Sequence, residues 1–171
     1  MDRTLVAWVE DKPGVLNRVA SLFRRRAFNI ESLTVGHTEK PGVSRMTIVV
    51  DGERTDTEKV AQNLYKLVNV IQVEDVTDHP AVHRDLALIK VKASNGQRSE
   101  VMQIVETFRA RVVDLGLETL TVEVTGTEDK IDGLYEILRP FGVEEMVRTG
   151  RVAMVRGADG KAREAEVSER R

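Results

Sequence analysis

Apolar positions along the chain switch period several times. Thr4 to Glu10, TLVAWVE, is a short β-branched and apolar run that predicts a strand. Val15, Leu16, Val19, Ala20, Leu22 and Phe23 then recur at helical spacing and predict one apolar helix face. Ahead of that face Asp11 is a candidate N-cap. Pro13 suits a first helical turn, where its missing N–H is no loss. Asn29 follows, and its tolerance of left-handed backbone suits a helix end. Ile30 to Thr38 and Ser44 to Asp51 predict two strands, with EKPG, Glu39 to Gly42, as the turn between them. Thr55-x-x-Glu58 reads as a capping box before a helix face of Val60, Ala61, Leu64, Leu67 and Val68. Val70 to Val76, VIQVEDV, predicts a fourth strand.

The polar segment Thr77 to Asp85, TDHPAVHRD, predicts a linker. The pattern then starts again. Leu86 to Val91 is strand-like, and Val101, Ile104, Val105 and Phe108 form a helix face. Ala110 to Asp114 and Leu120 to Thr125 predict strands around a turn near Gly116. Thr127 is placed to cap a helix with the face Ile131, Leu134, Ile137 and Leu138, which Pro140 and Gly142 are expected to stop. Val143 to Val147 and Arg151 to Val155 are expected to close this half. The chain thus reads as α+β, with two ferredoxin-like βαββαβ units at residues 1–78 and 84–157. Each would leave one sheet face open, which favours domain pairing or dimerisation. The charged tail 158–171 has almost nothing apolar to bury and reads as a frayed helix or as disorder.

Composition narrows the chemistry. Hydrophobic residues make up 41% and charged residues 32% of the 171, enough for packed cores under a solvated surface. The net charge of -2 argues against a dedicated nucleic-acid binder. Ferredoxin-like sheets that bind RNA stack bases on strand aromatics, whereas the third strand, SRMTIVVD, has none. No cysteine is present, which excludes a thiol nucleophile and cysteine metal sites. His79 and His83 are four apart, but Pro80 lies between them in the linker, so a helical metal pair is not expected. No Walker A, G-x-S-x-G, H-E-x-x-H or G-x-G-x-x-G motif occurs, and no catalytic or metal-ligating set is assigned. No run approaches the ~20 apolar residues of a membrane helix, and the N-terminus lacks a signal-peptide pattern, so a cytoplasmic protein is expected. The basic run Arg24-Arg25-Arg26 falls at a helix C-terminus, where it complements the helix dipole.

The stretch from Asp11 to Ile30 supports two readings. Its residues can serve only as cap, turn and packing. They also suit a free amino acid. Unpaired helix N–H groups would hold a carboxylate, and Gly14, with no Cβ, would let it approach. Asp11 could accept from an ammonium, Asn29 offers donor and acceptor, and Val15, Leu16 and Ile30 would meet an apolar side chain.

The segments DKPGVLNRVASLFRRRAFNIESL, GVSRMTIVV and KLVNVIQVEDV resemble the ACT domain, a small-molecule-sensing βαββαβ module. Together with RDLALIKV, FRARVVDL and EVTGTEDKIDGLYEILRPFGVEEMVRTGRVAMVRG, they look like the regulatory small subunits of acetolactate synthase, from about residue 2 to residue 157. That resemblance implies a non-catalytic chain with no cofactor of its own. Its partner would be a large catalytic subunit that uses thiamine diphosphate, Mg²⁺ and usually FAD. It implies activation of that subunit, feedback inhibition by valine and sometimes by leucine or isoleucine, and a homodimer through ACT domains. By motif match the effector would meet Asp11, Gly14, Val15 and Leu16 of one subunit and Asn29 and Ile30 of its neighbour. The second half would support the dimer and contact the catalytic subunit. Many members carry Asn where this chain has Asp11. An ionised aspartate only accepts hydrogen bonds, so here it faces the ammonium, caps the helix or weakens valine sensitivity. The competing class is a free-standing amino-acid-binding ACT regulator, with RNA binding a weaker third.

Overall fold

The computed structural model describes residues 2–53, 55–94 and 96–157. The tail 158–171 lies outside them. Two compact units are present. The first runs to Val82 and takes back the segment that begins at Arg151; the second is His83–Gly150.

In the first unit the order is β1 (Asp2–Glu10), α1 (Val15–Arg25), β2 (Ser32–His37), β3 (Val43–Asp51), α2 (Thr57–Leu64) and β4 (Val70–Asp75). The antiparallel sheet runs β2-β3-β1-β4, the ferredoxin-like order. Leu5, Ala7 and Val9 of β1 join Val15, Val19, Leu22 and Phe23 of α1 and Val60 and Leu64 of α2 in one core. Val6 is buried on the opposite face with Val76, Ala153, Trp8 and Val155. Burial on both faces explains why β1 reads as a continuous apolar run, not an alternating one.

That second cluster corrects one expectation. Arg151 to Val155 was expected to close the second half. Instead β9 (Val152–Val155) belongs with the first unit and pairs with β5 (Ala81–Lys92). Its alternating side chains put Ala153 and Val155 against the open face of the first sheet. Arg45 lies over the Trp8 ring at 4.7 Å and donates from Nη2 to the Ala153 carbonyl at 2.6 Å. Arg151 donates to Ser32 Oγ (2.9 Å) and to Thr4 Oγ1 (3.1 Å). The linker is also shorter than expected, because β5 already begins at Ala81.

The second unit holds β5, α3 (Arg98–Thr107), β6 (Arg111–Leu115), β7 (Thr119–Gly126), α4 (Glu128–Gly142) and β8 (Val143–Arg148). Its sheet repeats the first order as β6-β7-β5-β8. Ala87, Ile89 and Val91 pack with Val101 and Val105 of α3, Leu120, Val122 and Val124 of β7, and Ile131, Leu134 and Leu138 of α4. Pro140 lies within α4 and does not stop it; the reversal into β8 comes at Gly142, where φ is +100°.

Helix ends differ from the sequence reading in three further places. The α1 N-cap is Gly14, and neither Asp11 nor another side chain caps the helix. Pro13 therefore lies in the approach to α1 and not in its first turn. The left-handed residue after α1 is Ala27 (φ 53°), not Asn29. The Phe28 N–H donates to the Phe23 carbonyl (3.0 Å) and the two rings meet edge to face, a Schellman-type close that places the left-handed residue at 27. Helix α3 ends the same way, with Arg109 at φ 51° and Ala110 N–H on the Val105 carbonyl. For α2 the cap is Asp56, which accepts from the Lys59 N–H, so the predicted capping box is offset by one residue. Val68 is 86% exposed and lies off the α2 face.

Candidate functional site

The N-terminal end of α1 is built by three segments. Strand β1 ends at Glu10, and the Asp11 N–H donates to the Gly42 carbonyl at 2.8 Å, which ties this exit to the β2–β3 hairpin. Gly14 then turns the chain with φ 83°, and an added Cβ there would meet nothing within 4 Å. The backbone at Gly14 is thus open to an approaching group. The Val15 N–H donates to the Lys12 carbonyl at 3.3 Å, while Leu16 and Asn17 have no such backbone acceptor among the described residues. Exposed N–H groups and the positive end of the helix dipole suit an anion.

The side chains add specificity. Val15 is buried in the core, whereas Leu16 is half exposed and presents an apolar surface beside Gly14. Asp11 is exposed, and its Oδ2 lies 3.3 Å from His37 Nδ1 at the end of β2. One helical turn on from Gly14, Arg18 donates to Asn69 Oδ1 (2.6 Å), and Asn69 donates to Glu10 Oε2 (2.6 Å). Hydrogen bonding from Asn69, then from Lys12, holds the Glu10 carboxyl below the usual carboxylate range.

Asn29 and Ile30 lie elsewhere in the same chain. They follow the C-terminal end of α1, whose 11 residues span about 16 Å. Asn29 is exposed and donates to Glu31 Oε1, while Ile30 packs partly against the first core. One chain therefore gathers Asp11, Gly14, Val15 and Leu16 at one end of α1 and leaves Asn29 and Ile30 at the other. Sequence reasoning missed His37, Gly42, Arg18 and Asn69. His37, Gly42 and Asn69 reach the site through strand pairing and the β4 approach, which local spacing does not encode, and Arg18, one helical turn on from Gly14, is tied in by Asn69.

Elsewhere, His79 lies in the turn after β4 and His83 in β5, so their spacing is not helical. Among the described residues no group of three or more His, Cys, Asp or Glu is placed to hold a metal, and no helix is long and apolar enough to cross a membrane.

Two family models match this chain. One, described as the AHAS small subunit-like ACT domain, matches residues 5–72, and one described as the small subunit of acetolactate synthase matches residues 84–157. A Mycobacterium leprae protein named acetolactate synthase small subunit is 55% identical over 157 residues, 92% of this chain and 93% of its own. The chain belongs to the acetolactate synthase small subunit family. A Bacillus subtilis small subunit is 46% identical over 163 residues, covering 95% of each chain. The crystal structure of an acetolactate synthase small subunit from Thermotoga maritima superposes with a TM-score of 0.85 at 39% identity, covering 92% of this chain and 98% of that one. Every candidate residue from Asp11 to Ile30 falls within the ACT-domain match of this small-subunit family.

Proposed function

We propose that this chain is a non-catalytic, cytoplasmic regulatory subunit that binds a large acetolactate synthase subunit, raises its activity and makes it sensitive to valine. Synthase chemistry, with thiamine diphosphate, Mg²⁺ and FAD, belongs to the partner. The observation that carries the effector site is the α1 N-terminus: Gly14 opens onto free space beside unpaired N–H groups, with Leu16 exposed next to it. In this reading the valine carboxylate meets the helix N–H groups, and its side chain meets Leu16. Its ammonium faces Asp11, and Asn29 and Ile30 are supplied by a second copy. The separation of these two groups along α1 supports a site shared between subunits. Valine then acts by linkage: it binds one arrangement of the dimer better than another, and that arrangement activates the synthase less.

Reconstitution with the cognate catalytic subunit tests this directly. The chain should raise the synthase rate, and valine should lower it again; an unchanged rate on addition of the chain overturns the reading. Gly14→Asp should abolish valine inhibition and leave activation in place. Loss of activation and inhibition together would count against a separate effector site. Calorimetry with valine, leucine and isoleucine ranks the ligands.

A further inference from the structure

A concavity of about 360 Å³ lies between the last turn of α1 and the exit of α2, lined by Leu22, Arg25, Arg26, Asn63, Lys66 and Leu67. Leu22 and Leu67 give it an apolar floor, and three cations from two separate segments stand around the rim. Dipole complementarity explains one or two basic residues at the end of α1. It does not explain Lys66, which comes from beyond α2 and adds to the same positive field. Arg25, Arg26 and Lys66 make no ion pair among the described residues, although carboxylates are abundant in the chain. Asn63 is 9% exposed. Its Nδ2 donates to the Lys59 carbonyl at 2.7 Å, and its Oδ1 receives no donor among the described residues. The groove thus joins an apolar floor and an uncompensated positive rim.

We infer that this groove receives an acidic segment of the catalytic subunit. An apolar side chain of that segment rests on Leu22 and Leu67, and its carboxylates face Arg25, Arg26 and Lys66. This rests on the regulatory reading above and assigns that partner a surface. A small free anion fits less well, because exposed cations hold one only weakly against water and salt. A protein segment adds burial of the apolar floor, and arginines with apolar neighbours are typical of interface cores. The charge field would also steer the encounter and make it sensitive to salt.

The test is an activation titration of the cognate catalytic subunit with the full chain at two salt concentrations. Arg25→Glu/Arg26→Glu/Lys66→Glu should raise the half-saturating concentration by about tenfold or more and flatten its salt dependence. The milder Arg25→Gln/Lys66→Gln should raise it about threefold, which covers the case of a poorly folded triple variant. Arg24→Glu lies in the same basic run but off the groove and should match the wild type. Valine binding to the charge-reversed chain by calorimetry should stay unchanged. Wild-type half-saturation in both groove variants overturns the inference and leaves the regulatory reading standing; so does an Arg24→Glu chain as impaired as the triple variant. Failure of the wild-type chain itself to activate overturns both.

Discussion

At the scale of single residues, the decisive one is Asp11. It was expected as a helix cap or an ammonium partner; in the structure it does not cap, and its carboxylate is beside His37. Asp11→Asn would remove a negative charge from the α1 N-terminus and supply a donor. Under the regulatory reading, in which the valine ammonium faces Asp11, valine should then inhibit only at a concentration higher by about threefold to tenfold, a change of roughly 1 kcal/mol. Inhibition curves of the reconstituted synthase read this directly, and stronger inhibition would show that Asp11 opposes the valine carboxylate and does not face its ammonium. A second residue-scale outcome concerns Asp75. Burial raises its pKa, but hydrogen bonds from the Thr77 hydroxyl (2.5 Å) and N–H (3.0 Å) and the Arg3 guanidinium (2.8 Å) outweigh that and hold it below the usual carboxylate value. A depressed folded-state pKa gives stability that is present above the unfolded value, about 3.9, and is lost as pH falls through the folded one. The advantage of the wild type over Asp75→Asn should be about 0.5–1 kcal/mol near neutrality, since the group is partly solvated. It should shrink and be lost as pH falls below the unfolded value and through the depressed folded-state one, read in urea unfolding curves.

At the scale of elements, the two halves share more than an order of strands. Both first helices close on a non-glycine left-handed residue, Ala27 and Arg109, with the next N–H bonded back five residues. A Cβ in that conformation is strained. Ala27→Gly should therefore stabilise the first unit by about 0.5–1 kcal/mol in denaturant unfolding. A loss of stability would mean that the Ala27 side chain contributes packing that outweighs its backbone cost. Strand and helix periods were legible because amphipathic spacing is local. The exact caps were not, because Asp56 and Gly14 won their positions through backbone geometry that several neighbouring polar residues could equally have supplied.

At the scale of the whole molecule, the segment after Gly150 returns to the first unit and covers part of its sheet. Ala153 is 5% exposed beside Val6, Val76 and the chain's one tryptophan, Trp8. Ala153→Asp would bury an unpaired carboxylate there, at a cost of about 3 kcal/mol. Trp8 emission should shift to the red and report a lowered unfolding midpoint for the first unit. Hydrogen exchange in the second core, around Ile89 and Leu134, should stay protected. Both βαββαβ units and the family were legible along the chain, since hydrophobic period and long motif runs are written residue by residue. The sequence also marked Gly14 as an open backbone position. Which sheet receives Ala153 and Val155, which imidazole faces Asp11, and which cations gather around Leu22 and Leu67 follow from the folded chain alone. An alternating strand states that one face is buried but not against what. Contacts between residues tens of positions apart depend on register and on the way the chain returns, and neither is encoded in local spacing.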